Sequence, residues 1–341
     1  MTAGRSPAVP MQAEYERMMG MVTGYWVSQV VHAAAELNLA EHVAAGRTTA
    51  EAVAAAESAD SDATRRLLRT CASLGLLTSE DGVHFAATSL LATLHPDSPH
   101  SLHHLTLSLT APGHWLPWGR LPDAVRTGKP QGPAVYGSEV WDYMATHPKE
   151  AHDFTLAMVN LTAMANDEVA RQIDARGVGV AVDVGGANGS LLRAFMRENP
   201  NVNGIVLDRP DIVPSAMEAA AADGLADRFG VVGGDFFEEV PAGDLYLLRH
   251  ILHDWNDDDC VRILSNCRRS LNPGGRVAIV ELLVGPIGTP GLAPVMDVNM
   301  LVMAGGRERD LAEYDALFAR AGLRRTRVAE AGDMVLIETV A

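Results

Sequence analysis

Cysteine is scarce: Cys71, Cys260 and Cys267 are the only three in 341 residues. An odd number with no repeated short spacing excludes a disulfide framework and a zinc module built on paired thiols. Cys260 and Cys267 lie one heptad apart in a segment expected to be helical, and buried thiols are the reading. Lysine is missing from the first hundred residues, where six arginines face eleven acidic groups, and the whole chain carries a formal charge of −16. Phosphate neutralisation has little to draw on, so no nucleic-acid partner is expected. Also missing are an apolar run long enough to span a membrane and, in Met1 to Met11 with its Pro7 and Pro10, the apolar core of a signal peptide. A cytoplasmic protein with no membrane attachment is expected. The histidines are scattered; His100, His103 and His104 cluster without Cys or Glu at ligand spacing, and no metal is expected.

What is present suits a folded protein of more than one domain. Apolar residues make up 48% and charged residues 21%, and the length exceeds that of one ordinary core. The sequence divides into a helical, winged-helix-like dimerisation domain (1–100), a helical linker and substrate cap (101–176), and a Rossmann-like α/β domain with an antiparallel edge strand (177–341).

From Met11 to Leu39 apolar residues recur at helical spacing: Met18, Met19, Val22, Trp26, Val30 and Val31. Thr48-Thr49-Ala50-Glu51 opens a second helix to Glu57, and Asp60 or Ser61 caps a third through Ser73, closed by Gly75. Leu76 to Phe85 reads as two short strands around Asp81-Gly82. Helix, helix and hairpin suggest a winged helix, and Arg65, Arg66 and Arg69 on its second helix invite a DNA-binding reading. Three arginines in acidic surroundings favour protein packing instead. Between about Pro96 and Pro133, Pro, Gly, His and Trp mark a connecting region of short helices, and helix resumes from Pro148 to about Ala175.

From Gly177 strands and helices alternate, as in a parallel sheet covered on both faces. Strands are expected at Val178–Val184, Gly204–Asp208, Phe229–Gly233, Asp244–Leu248 and Arg276–Leu283, with helices at Ser190–Glu198 and Asp211–Ala222. Asn272-Pro273-Gly274-Gly275 is expected to stop the helix before the fifth strand. Arg324–Ala329 and Met334–Val340 around Gly332-Asp333 read as an antiparallel hairpin at the sheet edge.

The chemistry lies at carboxyl ends of these strands, where doubly wound sheets bind ligands. Asp183-Val184-Gly185-Gly186-Ala187-Asn188-Gly189 lies between strand and helix, where glycines permit a sharp turn and close approach of a ligand. Asp208 ends the next strand, placed to accept hydrogen bonds from a ribose. A dinucleotide fingerprint from Gly185 would need glycine at 187 and glycine or alanine at 190, and the chain has Ala187 and Ser190. Gly234-Asp235-Phe236-Phe237 follows the third strand, an acid for an adenine amino group beside an aromatic to cover the ring. Arg249-His250-Ile251-Leu252-His253-Asp254-Trp255 follows the fourth.

With those segments, Asn272-Pro273-Gly274-Gly275-Arg276 and Gly305-Gly306-Arg307-Glu308-Arg309, the chain resembles the small-molecule O-methyltransferases. These include the plant caffeate type and bacterial enzymes that methylate aromatic polyketides, mitomycins and phenazines. The resemblance spans nearly the whole chain. It implies S-adenosylmethionine as methyl donor, leaving S-adenosylhomocysteine, held by Gly185, Asp208, Asp235, Phe236 and Arg249, with Thr162 a further contact. Many relatives have lysine at 249 and a third consecutive glycine at 187. It implies His253 as general base, since an unperturbed imidazole titrates near neutrality. Glu281 and Glu308 match positions that orient that base, and Asp254 is read as a cap for the helix beginning near Asn256. The acceptor pocket is expected to draw on Trp141, Phe154, Met158, Met296, Met300 and Met303, methionine lining suiting flat aromatic molecules. The expected activity is O-methylation of a phenolic or hydroxylated aromatic natural product, by a homodimer joined through its N-terminal helices. Two alternatives remain: a methyltransferase-like hydroxylase that uses bound cofactor, and a winged-helix regulator.

Overall fold

The computed structural model describes residues 11–99 and 101–341, apart from the side chains of 162–165. The segment before Met11, His100 and the Thr162 side chain therefore lie outside the described residues. Two compact units are present, divided between Ala111 and Pro112. The division lies about one helix beyond the residue-100 boundary expected from the sequence, and the helices from Pro112 onward belong to the same unit as the sheet.

In the first unit the helices are α1 (Met11–Glu36), α2 (Leu39–Ala44), α3 (Ala50–Glu57) and α4 (Ser61–Ser73). The strands β1 (Leu77–Thr78) and β2 (Ala86–Ala87) follow, then α5 (Ser89–Ala92) and α6 (His103–Thr110). Asn38, in the left-handed region at φ 46°, separates α1 from α2. Thr49 and Asp60 cap α3 and α4 by accepting the backbone N–H of Ala52 and Ala63. The expected hairpin is displaced: its second strand lies at Ala86–Ala87, beyond Phe85, because the Asp81 carboxylate accepts the N–H groups of Val83 and His84 and widens the turn. Val30 and Val31 pack on a core of Leu39, Leu68, Leu77, Phe85 and Leu91. Met18, Met19, Val22 and Trp26 stay exposed, as do Tyr15, Met21 and Tyr25 on the same helix.

The second unit begins with α7 (Pro112–Trp118), α8 (Leu121–Thr127), α9 (Gly132–Tyr136), α10 (Val140–Thr146) and α11 (Pro148–Gln172). Then come β3 (Val180–Val184), α12 (Ser190–Glu198), β4 (Asn203–Asp208), α13 (Val213–Ala222), β5 (Phe229–Gly233) and β6 (Gly243–Arg249). The chain closes with α14 (Asp257–Ser270), β7 (Leu271–Glu281), α15 (Ala293–Met303), α16 (Leu311–Ala321), β8 (Arg324–Ala331) and β9 (Met334–Val340). Sheet order is β5-β4-β3-β6-β7-β9-β8. The first five run parallel, and β9 is antiparallel to both its neighbours. The turn at Asn272–Gly275 does not stop the preceding helix. α14 ends at Ser270, Leu271 already pairs with Gly243, and the turn bulges out before pairing resumes between Leu245 and Arg276.

Strand β6 is buried at Leu245, Tyr246, Leu247 and Leu248, as a central parallel strand covered on both faces must be. Successive strands β3 and β4 lead to one side of β3 while β6 lies on the other, so the chain reverses direction between β3 and β6. That reversal opens a crevice at their carboxyl ends. Gly185 leaves β3 and His250 leaves β6 at this crevice. Among the described residues no helix is long and apolar enough to cross a membrane.

Gly204 tests the packing of α12 on the sheet. A Cβ there would stand 2.3 Å from Met196 Sδ and 2.9 Å from Leu192 Cδ2. Gly204→Ala is expected to lower stability by about 1–3 kcal/mol through overpacking. The urea midpoint should fall with its slope unchanged.

Candidate active site

The loop after β3 is shaped by what its glycines avoid. Gly185 has φ 69°, and a Cβ on it would fall 2.5 Å from Ile251 Cδ1 and 3.6 Å from the Phe236 ring. Gly185, Ile251 and Phe236 therefore border one space that a side chain would fill. Gly186 is equally constrained, its missing Cβ 2.5 Å from the Asp183 carboxylate carbon. Ala187 accepts the left-handed region at φ 49°. Its N–H donates to Asp208 Oδ2 at 2.8 Å, while Asp208 Oδ1 accepts the Arg209 N–H at 2.7 Å. Asp208 thus anchors the loop as well as ending β4, and burial raises its pKa.

Phe236 packs near Phe237 and edge-on to Trp255, with centroid distances of 4.9 and 6.0 Å. Asp235 is exposed, its carboxylate accepting the Phe237 N–H. Arg249 reaches Asn166 Oδ1 and Met334 Sδ. Burial lowers its pKa to about 10 against the charges of Asp183 and Glu281, and burial pushes Asp183 up to about 7. The loop, Asp208, Phe236 and the crevice together offer features that suit an adenosyl group: open backbone at Gly185, a carboxylate at the end of β4 and an aromatic edge.

The second half of the site is a one-turn 3-10 segment, Leu252–Asp254, carrying His253. Glu281, fully buried at the end of β7, accepts the N–H groups of Ile251 and Leu252 through Oε1 at 3.0 and 2.9 Å. His253 Nδ1 stands 2.7 Å from Glu308 Oε1 and 3.8 Å from Glu281 Oε2. The structure therefore brings His253, Glu281 and Glu308 together. Burial disfavours a charged imidazole, but Glu281, Asp254 and Glu308 outweigh it and raise His253 to about 10. The expectation of an unperturbed imidazole is corrected accordingly: the surrounding carboxylates raise the proton affinity of the ring.

Asp254 is also corrected. Asn256 caps α14, accepting the Asp259 N–H, whereas Asp254 turns inward with Oδ1 3.6 Å from His253 Nε2. Burial pushes its carboxyl up to about 6. Three further residues escaped the sequence reading. Arg309 is fully buried and donates to the carbonyls of Leu252 and Trp255 at 2.9 and 2.8 Å, spanning the His253 turn. Asp297 accepts the Glu308 N–H at 3.0 Å. His250, in the left-handed region at φ 53°, sets its ring centroid 5.1 Å from that of His253. The signal for Arg309 was its place beside Glu308 in a matched motif; for His250 there was only adjacency.

The expected acceptor wall divides between two environments. Trp141 on α10 meets Phe154 on α11 edge-on at 6.1 Å, and Trp141 and Met303 pack in one cluster with Ala124, Val140 and Val302. Met296 packs instead against the cluster beneath the sheet. Met300 is buried and Met158 half-buried. On the same helix as the three methionines, Asn299 Oδ1 accepts Trp118 Nε1–H at 2.8 Å and lies 2.9 Å from His114 Nε2.

Comparison with known proteins gives the same assignment over the whole length. Residues 118–324 match the O-methyltransferase domain and residues 19–97 the O-methyltransferase dimerisation domain. The chain is 35% identical to the phenazine O-methyltransferase PhzM of Lysobacter antibioticus, covering 95% of this chain and 94% of that protein. It is 35% identical to the mitomycin biosynthesis 6-O-methyltransferase of Streptomyces lavendulae, with 99% of each covered. Among solved structures, NcsB1 from neocarzinostatin biosynthesis, in complex with S-adenosylmethionine and 2-hydroxy-5-methyl naphthoic acid, superposes with a TM-score of 0.83 at 32% identity. That match covers 92% of this chain and 96% of that one.

Proposed function

This chain belongs to the O-methyltransferase family, and we propose that it methylates a phenolic or other aromatic hydroxyl of a small natural product, with His253 as base. It is an S-adenosylmethionine-dependent enzyme. The substrate class is supported by what the relatives' names state: a phenazine, a mitomycin and a naphthoic acid.

The observation that carries the reading is the imidazole held through Nδ1 by Glu308 at 2.7 Å, which leaves Nε2, 3.6 Å from Asp254 Oδ1, as the nitrogen to receive a proton from an acceptor hydroxyl. S-adenosylmethionine, when bound, supplies a methyl group made electrophilic by its sulfonium. Gly185, Asp208, Asp235, Phe236 and Arg249 are the residues proposed to hold it. Asp208 would accept from the ribose hydroxyls, and the open backbone at Gly185 allows close approach. The acceptor must arrive at the transition state without its proton, and the residues around His253 favour the charged ring that holds it. A phenolate beside an imidazolium has the same proton count as a phenol beside a neutral imidazole. The raised proton affinity of His253 therefore helps the acceptor to ionise. Arg309 and Glu281 hold the turn so that this nitrogen does not wander, which is how positioning and base catalysis combine here. Trp141, Phe154, Met158, Met296, Met300 and Met303 remain the proposed acceptor contacts.

We read the enzyme as a cytoplasmic homodimer with no nucleic-acid partner. The dimerisation domain and the exposed face of α1 support the first, the charge of −16 the last.

Three measurements test this. Asp208→Ala should weaken S-adenosylmethionine binding by at least about a hundredfold in calorimetry, having lost two charge-assisted hydrogen bonds; unchanged affinity would remove Asp208 from the cofactor site. Val22→Glu with Trp26→Glu, at positions 59% and 58% exposed, should convert a dimer to a monomer in sedimentation. A dimer unaffected by the pair would place the interface elsewhere. His253→Gln should lower turnover at neutral pH by about a hundredfold or more with cofactor affinity preserved. Raising the pH should partly restore it, because an acceptor ionised in solution needs no base. Retention of most activity at neutral pH would make positioning the main device and Glu281 and Glu308 structural.

A further inference from the structure

Behind the His253 turn, buried polar atoms of His250, Glu281 and Glu308 are left over from the proposed methyl-transfer machinery. Glu281 spends only Oε1 on the Ile251 and Leu252 amides; its Oε2 is buried and has no hydrogen-bond partner. His250 Nδ1 is likewise buried and unpartnered, 3.9 Å from that oxygen. His253 Nδ1 approaches the same oxygen at 3.8 Å, and Glu308 Oε2, also buried, is unpartnered too. Buried polar atoms left in this state are rare and costly, and several around one point mark a place for an occupant.

The donors also meet the demands of one kind of occupant. The ligand atoms of His250, His253 and Glu281 all lie within 4.8 Å of one another. Neighbouring ligands of a tetrahedral zinc ion stand about 3.3 Å apart, given metal–nitrogen and metal–oxygen distances of about 2.0–2.1 Å. The two separations from Glu281, 3.9 and 3.8 Å, need to close by roughly half an ångström each, and the imidazole–imidazole separation, within 4.8 Å, by up to about 1.5 Å, which side-chain rotation supplies. Two imidazoles and one carboxylate suit a borderline transition-metal dication and disfavour magnesium or calcium, which take oxygen ligands.

We propose that His250, His253 and Glu281 form an inhibitory site for a transition-metal dication, zinc(II) being the best fit. The ion ligates His253 Nδ1, which gives up its proton to solvent, and takes that nitrogen from Glu308. The base then loses the partner that orients it. Inhibition rests on the proposed role of His253, whereas binding rests on the cluster alone, so the two are measured separately.

His250 is the discriminating ligand, since it has no part in the proposed transfer. His250→Asn keeps a residue type that tolerates φ near 53° and removes the imidazole. Cobalt(II), a spectroscopic stand-in for zinc, is titrated into the full-length protein and into His250→Asn, and is then displaced by zinc. Wild type should develop the intense visible band of a tetrahedral site at one ion per chain, and zinc but not magnesium should abolish it. His250→Asn should lose the band and weaken zinc binding about a hundredfold or more. Zinc should inhibit wild type and spare His250→Asn at the same concentration. His253→Gln, whose binding arm needs no activity, should lose the band as well. Absence of the band in wild type, or zinc affinity equal in wild type and His250→Asn, overturns the proposal and leaves a bridging water as the occupant. Band present without inhibition keeps the site but overturns its inhibitory role, and with it the view that Nδ1 must stay with Glu308.

Discussion

Glu281 has no exposed surface, and a carboxylate taken wholly out of water has to be satisfied by its surroundings. It ends β7 on the floor of the crevice, and two consecutive amides, Ile251 and Leu252, point at one of its oxygens. This double acceptance dictates the tight 3-10 segment that follows β6, because only a turn presents successive N–H groups to one point. The turn in turn delivers His253 to Glu308, and Arg309 closes it from the other side by binding two of its carbonyls. Gly306 belongs to the same arrangement: a Cβ there would collide with the His253 carbonyl oxygen at 2.0 Å. Backbone, His253 and both glutamates are thus one hydrogen-bonded object, and its stiffness follows from the need to satisfy a buried carboxyl group.

That dependence explains which parts of the molecule were legible in the sequence. Strand and helix limits in the sheet domain came through because each strand is short, apolar and followed by a turn with its own chemistry. The helix Ser190–Glu198 and the strand Phe229–Gly233 match to the residue. The closing hairpin is legible for the same reason, Gly332-Asp333 standing between two alternating runs. The displaced first hairpin, by contrast, depends on a carboxylate, Asp81, choosing the amides of Val83 and His84, and periodicity carries no record of that choice.

At the site, residue identities were legible and their electrostatics were not. His253, Glu281 and Glu308 are far apart in sequence, and only the fold brings three carboxylates around one imidazole. A reading confined to residue types assigns such a ring its ordinary proton affinity. It also sends Asp254 to a capping role, since Asp before a helix is the common case; Asn256, two residues nearer the helix, takes the cap and frees Asp254 to face the ring. His250 was invisible for a related reason. Its importance comes from a left-handed backbone that swings the side chain beside His253, and nothing local in the sequence demands that conformation.

The same geometry bears on how such an enzyme balances two requirements. A base that must ionise a phenol benefits from surrounding negative charge, because the charge stabilises the imidazolium. Surrounding negative charge, together with a second imidazole, is also what attracts a dication. On the proposed roles Glu308 keeps these apart: while it accepts a hydrogen bond from His253 Nδ1–H, that nitrogen carries a proton and is no ligand. A carboxylate bonded behind a histidine proposed as base therefore does more than set its tautomer. In a site with a spare imidazole and a spare carboxylate oxygen, it also decides whether the base remains a base.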